Sequence, residues 1–226
     1  MAHWAAAFCL GINYNKPSLT SQEMEVAHAR ATLAAQLLLV SSGGDGGEDS
    51  PSHAARMRSC LVHALLARLS SARDYLDLCA KHSGGGDGKD AAGEKGACAV
   101  LGQAYAQAMC RILEEEKRDA ALVGRSPSAE IVALWAEAML TPKAWTLWPA
   151  EAAMSTIDVP VPLEVSEVLT ELETALRRPS GRHPGLCHFY AHLLEAAPKR
   201  LVCAAAASDA LSALRSQWPC VGHLVH

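Results

Sequence analysis

Apolar residues along this chain recur at intervals of three and four, the spacing of one buried helix face, and the segments that carry this pattern are separated by proline, glycine or serine. Thr20 and Glu23 stand at the spacing of a capping box and predict a helix from there to about residue 40. Residues 51–81 read as one long helix or two short ones. Leu101, Tyr105, Ala108, Met109 and Ile112 predict a helix over 97–117 with a single apolar face. Ser126 is placed to cap the next helix, with Pro127 in its first turn and Ile131, Leu134, Trp135, Ala138 and Met139 inward. Pro162 opens another, with Val165, Val168, Leu169, Leu172 and Leu176 on its buried side. Pro184 opens a helix to about 197, and residues 204–216 form the last, stopped by Pro219. Two stretches break the pattern. Residues 41–50 and 83–96 are rich in Gly and Asp, lack apolar anchors, and are expected to be flexible loops.

Amphipathic helices joined by short prolyl or glycyl connectors pack as antiparallel neighbours. Pairs recurring at roughly 35–40 residues imply a stack. The expected fold class is therefore all-α: a right-handed solenoid of antiparallel helix pairs, forming one repeat domain over 1–226. Alanine is abundant, aromatics are only 5%, and β-branched runs are nearly absent, so little or no sheet is expected.

Charge narrows the partners. The formal net charge is −4 and no Lys/Arg stripe is present, which argues against nucleic acid and anionic membrane. The apolar run 31–40 is about half the length of a membrane span. The N-terminal decapeptide lacks the basic start of a signal peptide. Eight cysteines occur without a single C-x-x-C, which fits buried thiols in a reducing, cytoplasmic compartment better than a disulfide framework or a zinc finger.

The chemistry concentrates near the C-terminus. At about 100° per residue, Leu186, Tyr190, Leu193, Leu194 and Ala197 share one side of their helix. His188, His192 and Glu195 share the opposite side. Histidines at i and i+4 can hold one transition metal (zinc, iron or copper), and a carboxylate one turn on can complete or orient the site. His183 stands at the start of the helix, where the dipole favours neutral imidazole, the form that ligates. His223 and His226 follow one helix pair later, and a solenoid would bring them beside His188 and His192. A polar stripe opposite an apolar one is equally what a solvated face looks like. Glu137, beside the apolar face of its helix, needs a partner if buried. Trp135, Trp145 and Trp148 read as core residues fastening the proline-rich stretch 141–162, and His3, Trp4, Asn13 and Asn15 as helix-end packing. No phosphate loop, dinucleotide fingerprint or nucleophile elbow is present, so binding leads catalysis among the readings.

The words His183-Pro-Gly-Leu-Cys-His188-Phe-Tyr-Ala-His192-Leu-Leu-Glu195 and Gly222-His223-Leu-Val-His226 resemble a family of uncharacterised tetratricopeptide-repeat proteins of bacteria and eukaryotic microbes. Its members show H-P-G-x-x-H-x-Y-x-H-x-x-E and, later, G-H-L-V-H-M-P-S-H-I. Met1-Ala-His-Trp4, Gly11-Ile-Asn-Tyr-Asn15, Ala136-Glu-Ala-Met139 and Trp145-Thr-Leu-Trp148 agree with it as well. The resemblance implies repeat architecture and no particular activity. Family members begin upstream of the first of these words and continue beyond the last, so the chain is expected to be incomplete at both ends. Three readings follow: a scaffold binding a protein or peptide on a histidine-rich concave surface, a metalloprotein using the histidine cluster, or a fragment without independent activity.

Overall fold

The computed structural model describes residues 1–13, 16–42, 52–83, 91–144, 146–148, 161–178, 182–195, 197 and 205–217, and of Ser41, Ser42, Glu195 and residues 205–207 it describes the backbone alone. The described secondary structure is helical throughout, apart from one isolated bridge between Asn13 and Lys16. None of these helices is long and apolar enough to cross a membrane. The chain divides into two compact units, residues 1–112 and 113–226.

The first unit holds α1 (Ala2–Leu10), α2 (Ser21–Ser42), α3 (His53–Ala67), α4 (Ala72–His82) and most of α5 (Ala91–Leu122). The capping box forms as expected: the Glu23 amide donates to Thr20 Oγ1 at 3.3 Å, and the Thr20 amide donates to Glu23 Oε2 at 2.9 Å. Those bonds and an ion pair to Lys16 hold the Glu23 carboxyl below the usual carboxylate range, the Lys16 bond acting most strongly. Residues 51–81 resolve into two helices. Ser52 and Ser71 each accept a bond from the amide three residues on, so each restarts the chain as a helix. α1, which no element of the sequence reading covered, stacks Trp4 on Phe8 one turn later and donates from the Trp4 indole to the Leu61 carbonyl at 3.1 Å. Ala7, Leu19, Met24, Ala27, Leu65, Tyr75 and Ala97 form the centre of this core. Arg68, in the break between α3 and α4, is fully buried, its guanidinium 4.7 Å from the Tyr105 ring centre and 5.8 Å from that of Phe8.

α5 departs from expectation at its start. Residues 91–96, assigned to a flexible loop, are its first turns. Gly93 and Gly96 invite the loop reading, but Gly96 is required by packing: a Cβ there would stand 2.6 Å from His82 Cβ. The other end closes on Gly124, whose φ of 66° is the left-handed conformation that glycine takes without strain. The Arg125 amide donates to the Ala120 carbonyl and the Gly124 amide to that of Ala121, satisfying carbonyls that the helix end would leave open.

The second unit contains the end of α5, α6 (Ala129–Leu140), a 3₁₀ turn (Thr141–Lys143), α7 (Leu163–Leu176), α8 (Pro184–Glu195) and α9 (Ala205–Gln217). Ser126 does not cap α6; the helix starts two residues later, after Ser128. The reason lies in a distant carboxylate. Glu116 of α5, 1% exposed, accepts the Ser128 amide at 2.8 Å and pairs with Arg125 at 2.6 Å. That carboxylate anchors the start of α6 and raises the Arg125 pKa chiefly through their hydrogen bond.

α7 runs antiparallel to α6. Lys143, after the end of α6, pairs with Glu164 at the start of α7, while Arg178 at the end of α7 donates to the Pro127 carbonyl before α6. α8 runs parallel to α6. Gly185 in the first turn of α8 meets Ala133 near the start of α6, and the Trp148 indole, beyond α6, donates to the Leu193 carbonyl near the end of α8 at 2.7 Å. Trp135 and Trp148 are buried, as expected of a core; Trp145 lies outside the described residues.

Candidate functional site

The histidine-rich helix α8 begins on Pro184, whose missing N–H costs nothing in a first turn. The His183 carbonyl accepts the Cys187 amide at 3.2 Å, which closes that turn. The His183 imidazole lies over Gly185: a Cβ on Gly185 would stand 3.2 Å from its Cε1 and 3.0 Å from Ala133 Cβ. Glycine is therefore what lets α8 approach α6. Glu130 at the start of α6 is held more acidic than usual, mainly by the Ser128 hydroxyl and, to a lesser degree, by the nearby His183.

His188 and His192 come together as their spacing requires, ring centres 4.5 Å apart and planes 80° from parallel. The Phe189 ring also meets His188 edge to face, ring centres 5.3 Å apart. Their environment differs from the one expected. The stripe opposite Leu186 and Tyr190 does not lie open: His192 is 7% exposed and His188 half-buried. The cause is that α8 is packed by α6, α7 and α9, so a helix with a distinct polar stripe is covered on more than its apolar side. The Glu195 side chain, His223 and His226 lie outside the described residues. Among the described residues no group of three His, Cys, Asp or Glu side chains is placed to hold a metal ion.

Glu137, singled out for its position beside an apolar face, is indeed buried, at 3% exposed. Its carboxylate accepts the Thr141 hydroxyl at 3.1 Å, the residue one turn on, as α6 passes into the 3₁₀ turn.

A cleft of about 560 Å³ lies between α7, α8 and α9. Leu176, Cys187, Ala210 and Ala213 supply its apolar surface. Glu173 and Asp209 supply negative charge, and Arg177 and Arg182 positive. The Tyr190 hydroxyl donates to Glu173 Oε1 at 3.2 Å. Burial first, and then the neighbouring carboxylate, push that phenol up to about 12, so it remains a donor at neutral pH and fixes the Glu173 side chain. Burial raises the Cys187 thiol against the opposing pull of Arg182, which keeps it protonated and unsuited to attack as a thiolate.

None of these charged residues stood out in the sequence. Glu173 and Arg177 form an ordinary i,i+4 pair, 3.7 Å apart. Arg182 and Asp209 join them only because α9 folds back against α8, which no local pattern announces.

The six described cysteines, at 9, 60, 79, 98, 110 and 187, are not in disulfides. Comparison of the chain with protein-family models, with curated proteins and with solved structures finds no match in any of the three.

Proposed function

We propose that this chain is a binding module of the tetratricopeptide-like kind, a solenoid of antiparallel helix pairs that takes a peptide segment of a partner protein in the cleft between α7, α8 and α9. The cleft carries the reading. It has the size of a pocket for a few side chains, an apolar floor, and a rim bearing both signs of charge that can orient a polar backbone and its side groups. The order of helices supports the architecture. α7 antiparallel to α6, and α8 parallel to α6, is the alternation a stack of helix pairs needs.

The test is selection of displayed random peptides on the purified chain, followed by calorimetric titration of the enriched sequence. Ala213→Trp, which fills the cleft, is expected to weaken binding at least about tenfold, and Arg182→Glu to change which charged residues are selected. Selection that enriches no sequence, or an enriched peptide indifferent to Ala213→Trp, refutes the reading.

A second reading draws on the contact between His188 and His192. Two imidazoles one turn apart form half of a transition-metal site, for zinc, iron or copper, and Glu195, His223 and His226 are the donors that would complete it. Titration of the apoprotein with zinc, repeated on His188→Ala, separates the two readings. Stoichiometric zinc lost in the variant supports a metal centre, and zinc uptake unchanged by the variant removes it.

A further inference from the structure

The four charged side chains on the cleft between α7, α8 and α9 divide into two kinds. Glu173 and Arg177 are occupied within the fold. Glu173 accepts the Tyr190 hydroxyl at 3.2 Å and pairs with Arg177 at 3.7 Å, and Arg177 also donates to the Thr174 hydroxyl at 3.3 Å. Arg182 and Asp209 are exposed, and among the described residues neither makes a hydrogen bond or an ion pair. Opposite charges thus line one cavity without reaching each other. The Cys187 thiol beside Arg182 is kept protonated by burial, so it offers that cation no negative charge.

Their places in the chain put the two charges on different walls. Arg182 belongs to the link between α7 and α8, and Asp209 lies in the second turn of α9. Ala213 follows Asp209 by four residues on the same side of α9, which joins the charged wall to the apolar floor. Cys187 and Ala210 on that floor are buried, and Leu176 and Ala213 are partly so.

We propose that the segment taken by this cleft is amphoteric: an acidic side chain reaches Arg182, a basic one reaches Asp209, and an apolar side chain between them rests on the floor. This rests on the reading of the cleft as a peptide site and adds which peptides it takes. A wholly acidic segment would answer Arg182 but set a second carboxylate against Asp209, and a wholly basic one would do the reverse at Arg182. A neutral segment answers neither. With two carboxylates and two guanidiniums the cleft has no net charge to draw in either kind from a distance. Selection therefore falls to local pairing, and like charges brought together reject the wrong segment as firmly as opposite charges hold the right one.

The test selects displayed random dodecapeptides on the full chain, on Arg182→Glu, on Asp209→Lys and on the double reversal. The parent should enrich peptides in which an acidic and a basic residue flank an apolar one. Arg182→Glu should turn the acidic position basic, and Asp209→Lys the basic position acidic. A synthetic peptide of the parent consensus, and the same peptide with its two charges exchanged, are then titrated calorimetrically. Each single reversal should weaken the parent peptide at least about tenfold, because an attraction becomes a repulsion. The double reversal should bind the charge-exchanged peptide within about threefold of the parent pair. Both positions are exposed, and circular dichroism melts matching the parent establish that the variants fold. An enriched peptide that is lost on Ala213→Trp but indifferent to both reversals overturns the amphoteric class and leaves the peptide site standing. So does a consensus bearing one sign of charge or none. Selection that enriches nothing removes the peptide site and this inference with it.

Discussion

The buried carboxylate of Glu116 makes opposite demands in two backgrounds, which allows a test by sign rather than by size. In the native chain it is 1% exposed, takes the Ser128 amide at 2.8 Å, and meets Arg125 through both guanidinium nitrogens, at 2.6 and 3.3 Å. Hydrogen bonds to a charged group contribute about 1.5–3 kcal/mol each, and the Arg125 side chain, 37% exposed, recovers part of its loss by turning to water. Glu116→Ala should therefore destabilise the second unit by about 3 kcal/mol. Glu116→Gln keeps an oxygen for the Ser128 amide and should cost about half that. Arg125→Ala leaves the arginine's carboxylate partner buried without its cation, which costs on the order of 3 kcal/mol. In that background Glu116→Gln removes the stranded charge and should restore about 1 kcal/mol or more. Urea denaturation followed by tryptophan fluorescence reads this directly, because Trp135 and Trp148 lie in the second unit. A Glu116→Gln effect of the same sign and size in both backgrounds would show that the pair is uncoupled and refute the argument.

Gly185→Ala should destabilise by about 1–2 kcal/mol, since its methyl group would meet Ala133 Cβ at 3.0 Å, and Ala133→Gly should recover part of the loss; additivity in the double variant would disprove the contact. Tyr190 and Tyr75 both have folded-state pKa values above the unfolded value near 10, burial being the main cause in each. Their contribution to stability is complete below pH 10 and falls as pH rises through the folded values, so the urea midpoint should decline above about pH 10. Tyr190→Phe should shallow that decline, and a parent midpoint flat to pH 11.5 would contradict it. Arg68→Lys keeps the charge but removes the guanidinium from over the Tyr105 and Phe8 rings, and should lower stability by about 1–2 kcal/mol in thermal melts; an unchanged melting temperature would rule out a cation–π role for the guanidinium.

Signals confined to a few neighbouring residues were legible in the sequence. The Thr20–Glu23 box, the buried side of α7 at Val165, Val168 and Leu172, and the contact between His188 and His192 all follow from spacing alone. What was misread depends on partners far along the chain. Ser126 looked like a cap because Ser-Pro before an apolar run is a common start, but Glu116 fixes Ser128 instead. Gly96 looked like a linker residue because a glycine selected for close packing and one selected for freedom are the same letter. His192 looked exposed because its own helix has a polar side, and the helices that cover that side are not encoded locally. The charged cleft residues could be found only after α9 was placed.

Arg68 also bears on how the first unit comes apart. Its guanidinium lies between Phe8 of α1 and Tyr105 of α5, so the earliest and latest helices of that unit meet through one buried cation. Peeling α1 away would strip one wall from that cation and admit water to it, a penalty that ordinary fraying of a terminal helix does not carry. The first ten residues should accordingly resist amide exchange about as long as the middle of the unit. A cut after Leu10 would be expected to loosen α3, α4 and α5 together rather than shorten the protein by one helix.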